Sequence, residues 1–367
     1  MTKSLDQESL DKNPARHFAV VIGINHYPLI DADLENAHAD AQAVRDWLVN
    51  EASVPKANVK LVQSKNVRNK PTPLNDQIDG AFEEVFEGAQ QVAGDRRLYI
   101  YFAGHGTSQQ QRHVALLTAG FSPNYLGRSL DTELYHDALS RRDLFRQQII
   151  FYDCCRNRDW SISGRGPEWA SEKGVTPASA LVEQWILYAA GFTQFANARQ
   201  MIYSTRRGLF TRALLEGLRG EAARREGEEE TVSMLSLADY ISARLMQLTQ
   251  EENLGSQILS WNPAGMYGNP VLMRRPVPSP TTAAPRQKTF RVHVLAGSPA
   301  ATIVLHDGRF QVIRTVPVID GEAVITVPPG TYILQAVPPP EIAVSPFQAL
   351  AVTGAPRTDD HPLTVSF

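Results

Sequence analysis

A histidine set between two glycines, His105 in "YFAGHG", and a cysteine in "FYDCCRN" some fifty residues further on are the residues of this chain with the most specific chemistry. A thiol becomes a strong nucleophile by losing its proton near neutral pH. An imidazole can take up that proton and later deliver one to a leaving amine. The pair points to attack on a carbonyl carbon. Glycines at 104 and 106 let the backbone turn tightly and let a substrate main chain come close. In extended chain the two-residue period puts Asp153 and Cys155 on one face and Cys154 on the other, so only one of the two thiols can share a cleft with the aspartate. Cys154 is therefore read as a packing residue, since unpaired cysteine is among the most buried residue types.

Both residues end runs of strand-forming sequence, "YIYFA" and "QQIIFYD". In open α/β sheets ligands bind outside the carboxyl ends of the strands, so the elements around the pair matter. From residue 17 to about 273, short β-rich runs alternate with stretches of helical period, which predicts a mainly parallel six-stranded sheet with helices on both faces. The first strand is "HFAVVIGIN". Leu34, Ala37, Ala41, Val44 and Leu48 then recur at helical spacing, and "VKLVQ" is the second strand. Thr72 and Pro73 predict a helix start, with Ile78, Phe82, Val85 and Ala89 on its buried stripe. "WILYAAG" reads as a fifth strand, "FTRALLEGLRG" as a helix ending near Gly220, "SLADYISARLMQLTQ" as a further helix, and "GNPVLMR" as the strand closing the sheet.

The division expected is an N-terminal extension, 1–16, a catalytic domain, 17–275, a Pro-rich linker, 276–288, and a small all-β sandwich, 289–367. The sandwich concentrates no His, Cys or carboxylates and is read as an accessory module, so that residues 1–275 should fold without it. A net charge of −3, from 36 basic and 39 acidic residues, provides no broad basic surface, and nucleic acid is not expected as a partner. The polar first sixteen residues resemble neither a secretory signal nor a transit peptide, and no apolar run is long enough to span a bilayer. The expectation is a soluble, cytoplasmic protein without membrane partners.

"YFAGHG" followed by "FYDCCRN" resembles the caspases, metacaspases and bacterial caspase-like peptidases. "FAVVIGINHY", "LENAHADAQAVRDWL", "GLFTRALLEGL" and "GNPVLM" look like their family counterparts in order and spacing. The resemblance implies a cysteine endopeptidase with Cys155 as nucleophile and His105 as its acid/base partner. The amides of Gly106 and Cys155 become the oxyanion donors, each contributing about 3 kcal/mol to the transition state. It also implies an S1 pocket built from Asp40 and Asp153, hence cleavage after arginine, lysine more weakly, and not after aspartate. Read without the family, Asp40 is either a helix-surface charge or a carboxylate facing a cleft.

Ala103 and Ala37 stand where metacaspases commonly carry a serine and a cysteine, so the pocket keeps its carboxylates but loses polar contacts. The stretch after His105 lacks an acidic run, and no HExxH or paired CxxC occurs, so neither calcium nor zinc nor any other cofactor is expected. Protein substrates follow from the resemblance, as does a processing linker, expected in "RNRDWSISGRGPEWASEKGVTPAS" or "RGEAARREGEEE", cut by the enzyme itself or by an upstream activating protease. By the same resemblance, stress, defence or cell-death pathways are the setting. Two rival readings are a caspase-like scaffold without catalysis, acting by binding, and an α/β hydrolase, which the absence of a GxSxG elbow disfavours.

Overall fold

The computed structural model describes residues 10–65, 67, 70–108, 114–154, 164–170, 182–189, 208–251, 259–264, 268–277, 288–294, 302–306, 312–320, 322–327, 330–337, 347–352 and 363–365. The chain forms two compact units: Met1–Leu215 with Ser233–Met273, and Glu216–Val232 with Arg274–Phe367.

In the first unit the elements run β1 (His17–Gly23), α1 (Ala37–Asn50), β2 (Val59–Gln63), α2 (Asn75–Gln90), β3 (Arg97–Ala103), β4 (Gly106–Ser108), β5 (Val114–Leu117), β6 (Ser129–Asp131), α3 (Thr132–Arg142), β7 (Gln147–Asp153), β8 (Glu183–Tyr188) and α4 (Leu209–Glu216). After a hairpin of β9 (Arg224–Glu226) and β10 (Glu229–Ser233) come α5 (Met234–Glu251), β11 (Ser260–Ala264) and β12 (Val271–Pro276). The central sheet has the order β11-β8-β7-β3-β1-β2. Five strands are parallel, and β11 joins the edge antiparallel to β8. Strands β1 and β3 are buried along their whole length, which is why they read as continuous apolar runs. Phe18, Val20, Ile22, Ile100 and Phe102 pack against Ile78, Phe82, Val85 and Phe86 of α2. On the other face, Trp47 of α1 meets the Tyr99 ring edge-on.

Two expectations are corrected. "GNPVLMR" does not close the main sheet: its strand, β12, lies in a small sheet of order β12-β10-β9, and the sixth position is taken by β11. An apolar run signals burial and cannot say in which sheet. Helix α2 begins at Asn75, not at the Thr72–Pro73 pair; the Leu74 amide at its start is capped by the Gln77 side chain at 2.6 Å, while the Thr72 carbonyl accepts from the Lys65 amide. Between β3 and β7 an antiparallel sheet, β4-β5-β6, adds a layer, and Asp131 caps α3 by accepting from the amides of Glu133 and Leu134.

At the amino ends of the strands lies a buried polar cluster. Arg97 is ion-paired with Asp11 and donates to the Val271 carbonyl at 2.9 Å and to Gln147 at 2.5 Å. Asp11 in turn accepts from the Val271 amide at 3.3 Å. Gln147 donates to Glu183, which also accepts from the Gly268 amide. Residues that precede the first strand, and residues that follow the last helix, are thereby fastened to the same arginine.

Residues 164–170 form an anchor. The Arg165 amide donates to the Ser129 carbonyl at 2.8 Å, and the Arg165 carbonyl accepts from the Asp131 amide at 3.0 Å. The Glu168 amide donates to Asp79 at 3.0 Å, and Trp169 stands edge-on to Phe86 at 4.9 Å and to Tyr135 at 5.9 Å. The long stretch expected as an exposed processing linker is thus docked here, while its parts at 155–163 and 171–181 lie outside the described residues. The second stretch expected as a processing linker, 219–230, carries the β9–β10 hairpin, which pairs across a turn at Gly227.

In the second unit Arg274 and Arg275 are ion-paired with Glu229 and Glu230. The C-terminal segment comprises β13 (Lys288–Val294), β14 (Thr302–His306), β15 (Val312–Pro317), β16 (Glu322–Val327), β17 (Gly330–Val337), β18 (Phe347–Val352) and β19 (Leu363–Val365). They form two sheets, β16-β13-β19 and β15-β14-β17-β18. Ile303 and Leu305 of one sheet and Ala323, Ile325 and Val327 of the other are buried at alternating positions, as the inner faces of a sandwich require.

Candidate active site

Strands β3 and β7 are neighbours in register, with Ala103 opposite Asp153. The chain therefore leaves the sheet toward His105 and toward Cys155 from adjacent points on its carboxyl edge. Cys155 itself lies outside the described residues, and so does its amide as an oxyanion donor; Gly106 opens β4. Cys154 is buried in the core cluster with Tyr27 and Tyr152.

His105 is held at three points. Its amide donates to the Tyr27 hydroxyl at 2.7 Å, its ring lies 4.6 Å from the Tyr27 ring, and Nε2 is 2.7 Å from the Ala32 carbonyl. A carbonyl oxygen can only accept, so Nε2 carries the proton and Nδ1 of the neutral ring is the basic nitrogen. Burial lowers the imidazole's affinity for a second proton, against the opposing pull of the Ala32 carbonyl and Asp33, and this keeps the neutral, basic form at neutral pH. The loop that supplies Tyr27 and Ala32 is braced by Asp33, which accepts from the Tyr27 amide at 2.6 Å and pairs with His26 at 2.8 Å. Ser64 tightens the same loop. It accepts from the amides of Asn25 and His26 and lies 2.8 Å from His38 Nε2. A Cβ on residue 104 would stand 2.6 Å from the Tyr27 hydroxyl oxygen, so the glycine before His105 makes room for this tyrosine.

The two aspartates singled out in the sequence are brought together. Asp40 is buried on the first turn of α1 and accepts from the Gly208 amide at 3.1 Å, so it is not a helix-surface charge. A Cβ on residue 208 would lie 2.5 Å from Asp153 Oδ2 and 2.9 Å from Asp40 Oδ2; both carboxylates converge on Gly208, and a side chain there would displace them. Asp153 Oδ2 accepts from the Thr211 hydroxyl at 2.6 Å, and the Tyr101 hydroxyl stands 2.5 Å from the Thr211 oxygen. Burial pushes the Asp153 carboxyl up to about 6, with the Thr211 hydrogen bonds opposing. Two carboxylates in so small a space favour a positively charged ligand.

Sequence reasoning missed Tyr27, Ala32, Asp33, Tyr101, Gly208 and Thr211. Tyr27 and Thr211 lie in motifs that it had singled out, "FAVVIGINHY" and "GLFTRALLEGL". Ala32 acts through its backbone, which leaves no trace in residue type.

The family described as Caspase domain matches residues 16–261, and the chain belongs to that family. A protein named a probable protease, from a Desulfuromonadales bacterium, is 30% identical over 235 residues, covering 59% of this chain and 27% of that protein. The chain thus spans about a quarter of that relative's length. Among solved structures, caspase-1 from Spodoptera frugiperda aligns with a TM-score of 0.41 at 14% identity, over 72% of this chain and 93% of that one. The Drosophila initiator caspase Dronc aligns at 0.43 and 11%, over 69% and 81%. Among the described residues no group of three or more His, Cys, Asp or Glu side chains is placed to hold a metal ion, and no helix is long and apolar enough to cross a membrane.

Proposed function

We propose that the protein is a cysteine endopeptidase that cuts protein substrates after arginine, after lysine more weakly, and not after aspartate. Cys155 is the nucleophile and His105 the acid/base. The Cys155 thiol gives its proton to Nδ1, the sulfur attacks the scissile carbonyl carbon, and the developing oxyanion is met by the amides of Gly106 and Cys155. The imidazolium then protonates the leaving amine, and water activated by the same nitrogen releases the acyl group. The Ala32 carbonyl steadies the imidazolium throughout.

The observation that carries the specificity is the convergence of Asp40 and Asp153 on Gly208. A guanidinium neutralises both carboxylates and can donate to both with its planar fork, whereas an ammonium presents a compact charge, and a P1 aspartate would add a third negative group. Control by proteolysis, by self-cleavage or by an upstream protease, belongs to the same reading, with Lys173 just beyond the docked anchor as a candidate cut and a stress, defence or cell-death response as the setting the family resemblance suggests.

The test is a panel of fluorogenic peptides varied only at P1, offered to the full chain and to its Cys155→Ala variant. Hydrolysis after arginine that vanishes in the variant is expected. Efficient cleavage after aspartate, or hydrolysis that survives loss of Cys155, overturns the proposal.

A further inference from the structure

Thr211 and Tyr101 take no part in the proposed chemical steps, yet they sit directly behind the paired carboxylates. Tyr101 is on β3, fully buried, two residues before Ala103; Thr211 is on the first turn of α4, three residues after Gly208. Thr211 Oγ1 lies between two oxygens, the Tyr101 hydroxyl at 2.5 Å and Asp153 Oδ2 at 2.6 Å. A threonine hydroxyl has a single proton to give. An ionised carboxylate can only accept, so that proton points to Asp153, and the Tyr101 proton points to Thr211. The direction of the chain is thereby fixed: Tyr101 donates to Thr211, and Thr211 donates to Asp153. A protonated Asp153 would accept the Thr211 proton more weakly than the carboxylate does, so the hydrogen bond favours the charged form. The arrangement is thus matched to the charged form of Asp153, which burial opposes.

The neighbouring elements treat Asp40 in parallel fashion. The same α4 entrance that offers the Thr211 hydroxyl to Asp153 offers the Gly208 amide to Asp40. The groups facing Asp153 are accordingly Asp40 from α1, Tyr101 from β3, and Gly208 with Thr211 from α4 and its entrance. A carboxylate has about four acceptor sites, so those taken by the Thr211 hydroxyl and the Thr211 amide leave capacity for a bidentate guanidinium.

We propose that Thr211, with Tyr101 behind it, is the positioning residue of the basic-residue pocket, holding Asp153 charged and oriented for a P1 arginine. This rests on the arginine-specific reading above. A merely structural threonine would contribute shape, which valine preserves. A positioning hydroxyl contributes a proton, which only serine preserves.

The experiment uses the full chain with Thr211→Val, Thr211→Ser and Tyr101→Phe, each checked for folding by circular dichroism. Hydrolysis of matched P1 arginine and lysine peptides is measured from pH 5 to 8. The Asp153 carboxyl is titrated by carbon-13 NMR in the Cys155→Ala background, which requires no activity. Thr211→Val is expected to lower kcat/KM for arginine roughly tenfold, chiefly through KM, to shrink the arginine-over-lysine preference, and to move the acidic limb and the Asp153 titration to higher pH. Thr211→Ser should restore all of these, and Tyr101→Phe should show the same changes in smaller measure. If the parent prefers arginine but Thr211→Val keeps the same KM, preference and Asp153 titration, the positioning role is wrong while the arginine reading stands. If the parent shows no preference for basic P1 residues, the arginine reading falls and the proposal with it. Should Thr211→Val fail to fold, Tyr101→Phe decides by the same criteria.

Discussion

Burial holds the Asp153 carboxyl near 6, above its ordinary value of 3.8, so at neutral pH the fold keeps an ionised group where a neutral one would be cheaper. The sign follows from proton linkage. Below about pH 4 folded and unfolded chains both hold the proton and there is no penalty. As the pH climbs toward 6 the unfolded chain releases it first, so the folded state loses stability relative to it and stays penalised above. Asp153→Asn removes the charge, and denaturant unfolding at pH 7 should find the variant more stable by about 1–3 kcal/mol, with the gain vanishing near pH 4. The same variant should lose roughly 2–5 kcal/mol in kcat/KM on arginine peptides, a trade of activity against stability at one residue. Equal stability at pH 7, or wild-type rates on arginine, would show that Asp153 carries no such charge. The adjacent thiols should divide in a comparable way: alkylation with an active-site reagent is expected at Cys155, and Cys154→Ser should retain activity while lowering stability, since Cys154 lies in the core cluster. Preferential labelling of Cys154 would reverse the assignment.

At the scale of elements, the loop from β1 to α1 fixes the orientation of the strand-end His105 ring. Gly104→Ala would force its Cβ against the Tyr27 hydroxyl, 2.6 Å away, and the tyrosine would have to give up the His105 amide. The expected result is a loss of stability of about 1–3 kcal/mol together with a fall in kcat that exceeds any change in KM, measured by unfolding and steady-state kinetics. An unchanged kcat would mean that Tyr27 does not set the histidine. Legibility in the sequence follows the same division. The strands β1, β3 and β7 were readable because burial on both faces leaves unbroken apolar runs, and Asp40 and Asp153 were reachable through the motifs around them. Strand β11 was not, because Asn262 and Pro263 interrupt its pattern, and proline is tolerated there only because the strand lies at an edge. The His105–Ala32 contact was hidden for another reason: it depends on how a loop folds back, and backbone carbonyls are the same in every residue.

For the molecule as a whole, Arg97 ties the beginning and the end of the first unit to the strand starts. Asp11→Ala leaves this buried guanidinium without its counter-charge and should cost roughly 3–5 kcal/mol in thermal or chemical unfolding, while leaving the carboxyl edge of the sheet in place. A chain ended after Val277 retains Val271 and the Arg274 and Arg275 ion pairs, and it is expected to fold and keep peptidase activity. One ended at Pro270 loses both groups of Val271 that meet the cluster and should unfold at markedly lower temperature. The anchor at 164–170 has a consequence of a mechanical kind. In the sequence nine positions, 155–163, join the end of β7 to the anchor that carries the docked Arg165, so a cut among them separates Cys155 from that anchor. Severing the chain beyond position 170, where Lys173 stands, leaves both fixings intact. Severing it after Arg156 or Arg158 leaves Cys155 joined to the fold from one side only, with the conformational freedom of a chain end. Two constructed cleavage sites for an unrelated protease, one on each side of the anchor, should therefore differ sharply: the far cut is expected to preserve hydrolysis and the near cut to abolish it.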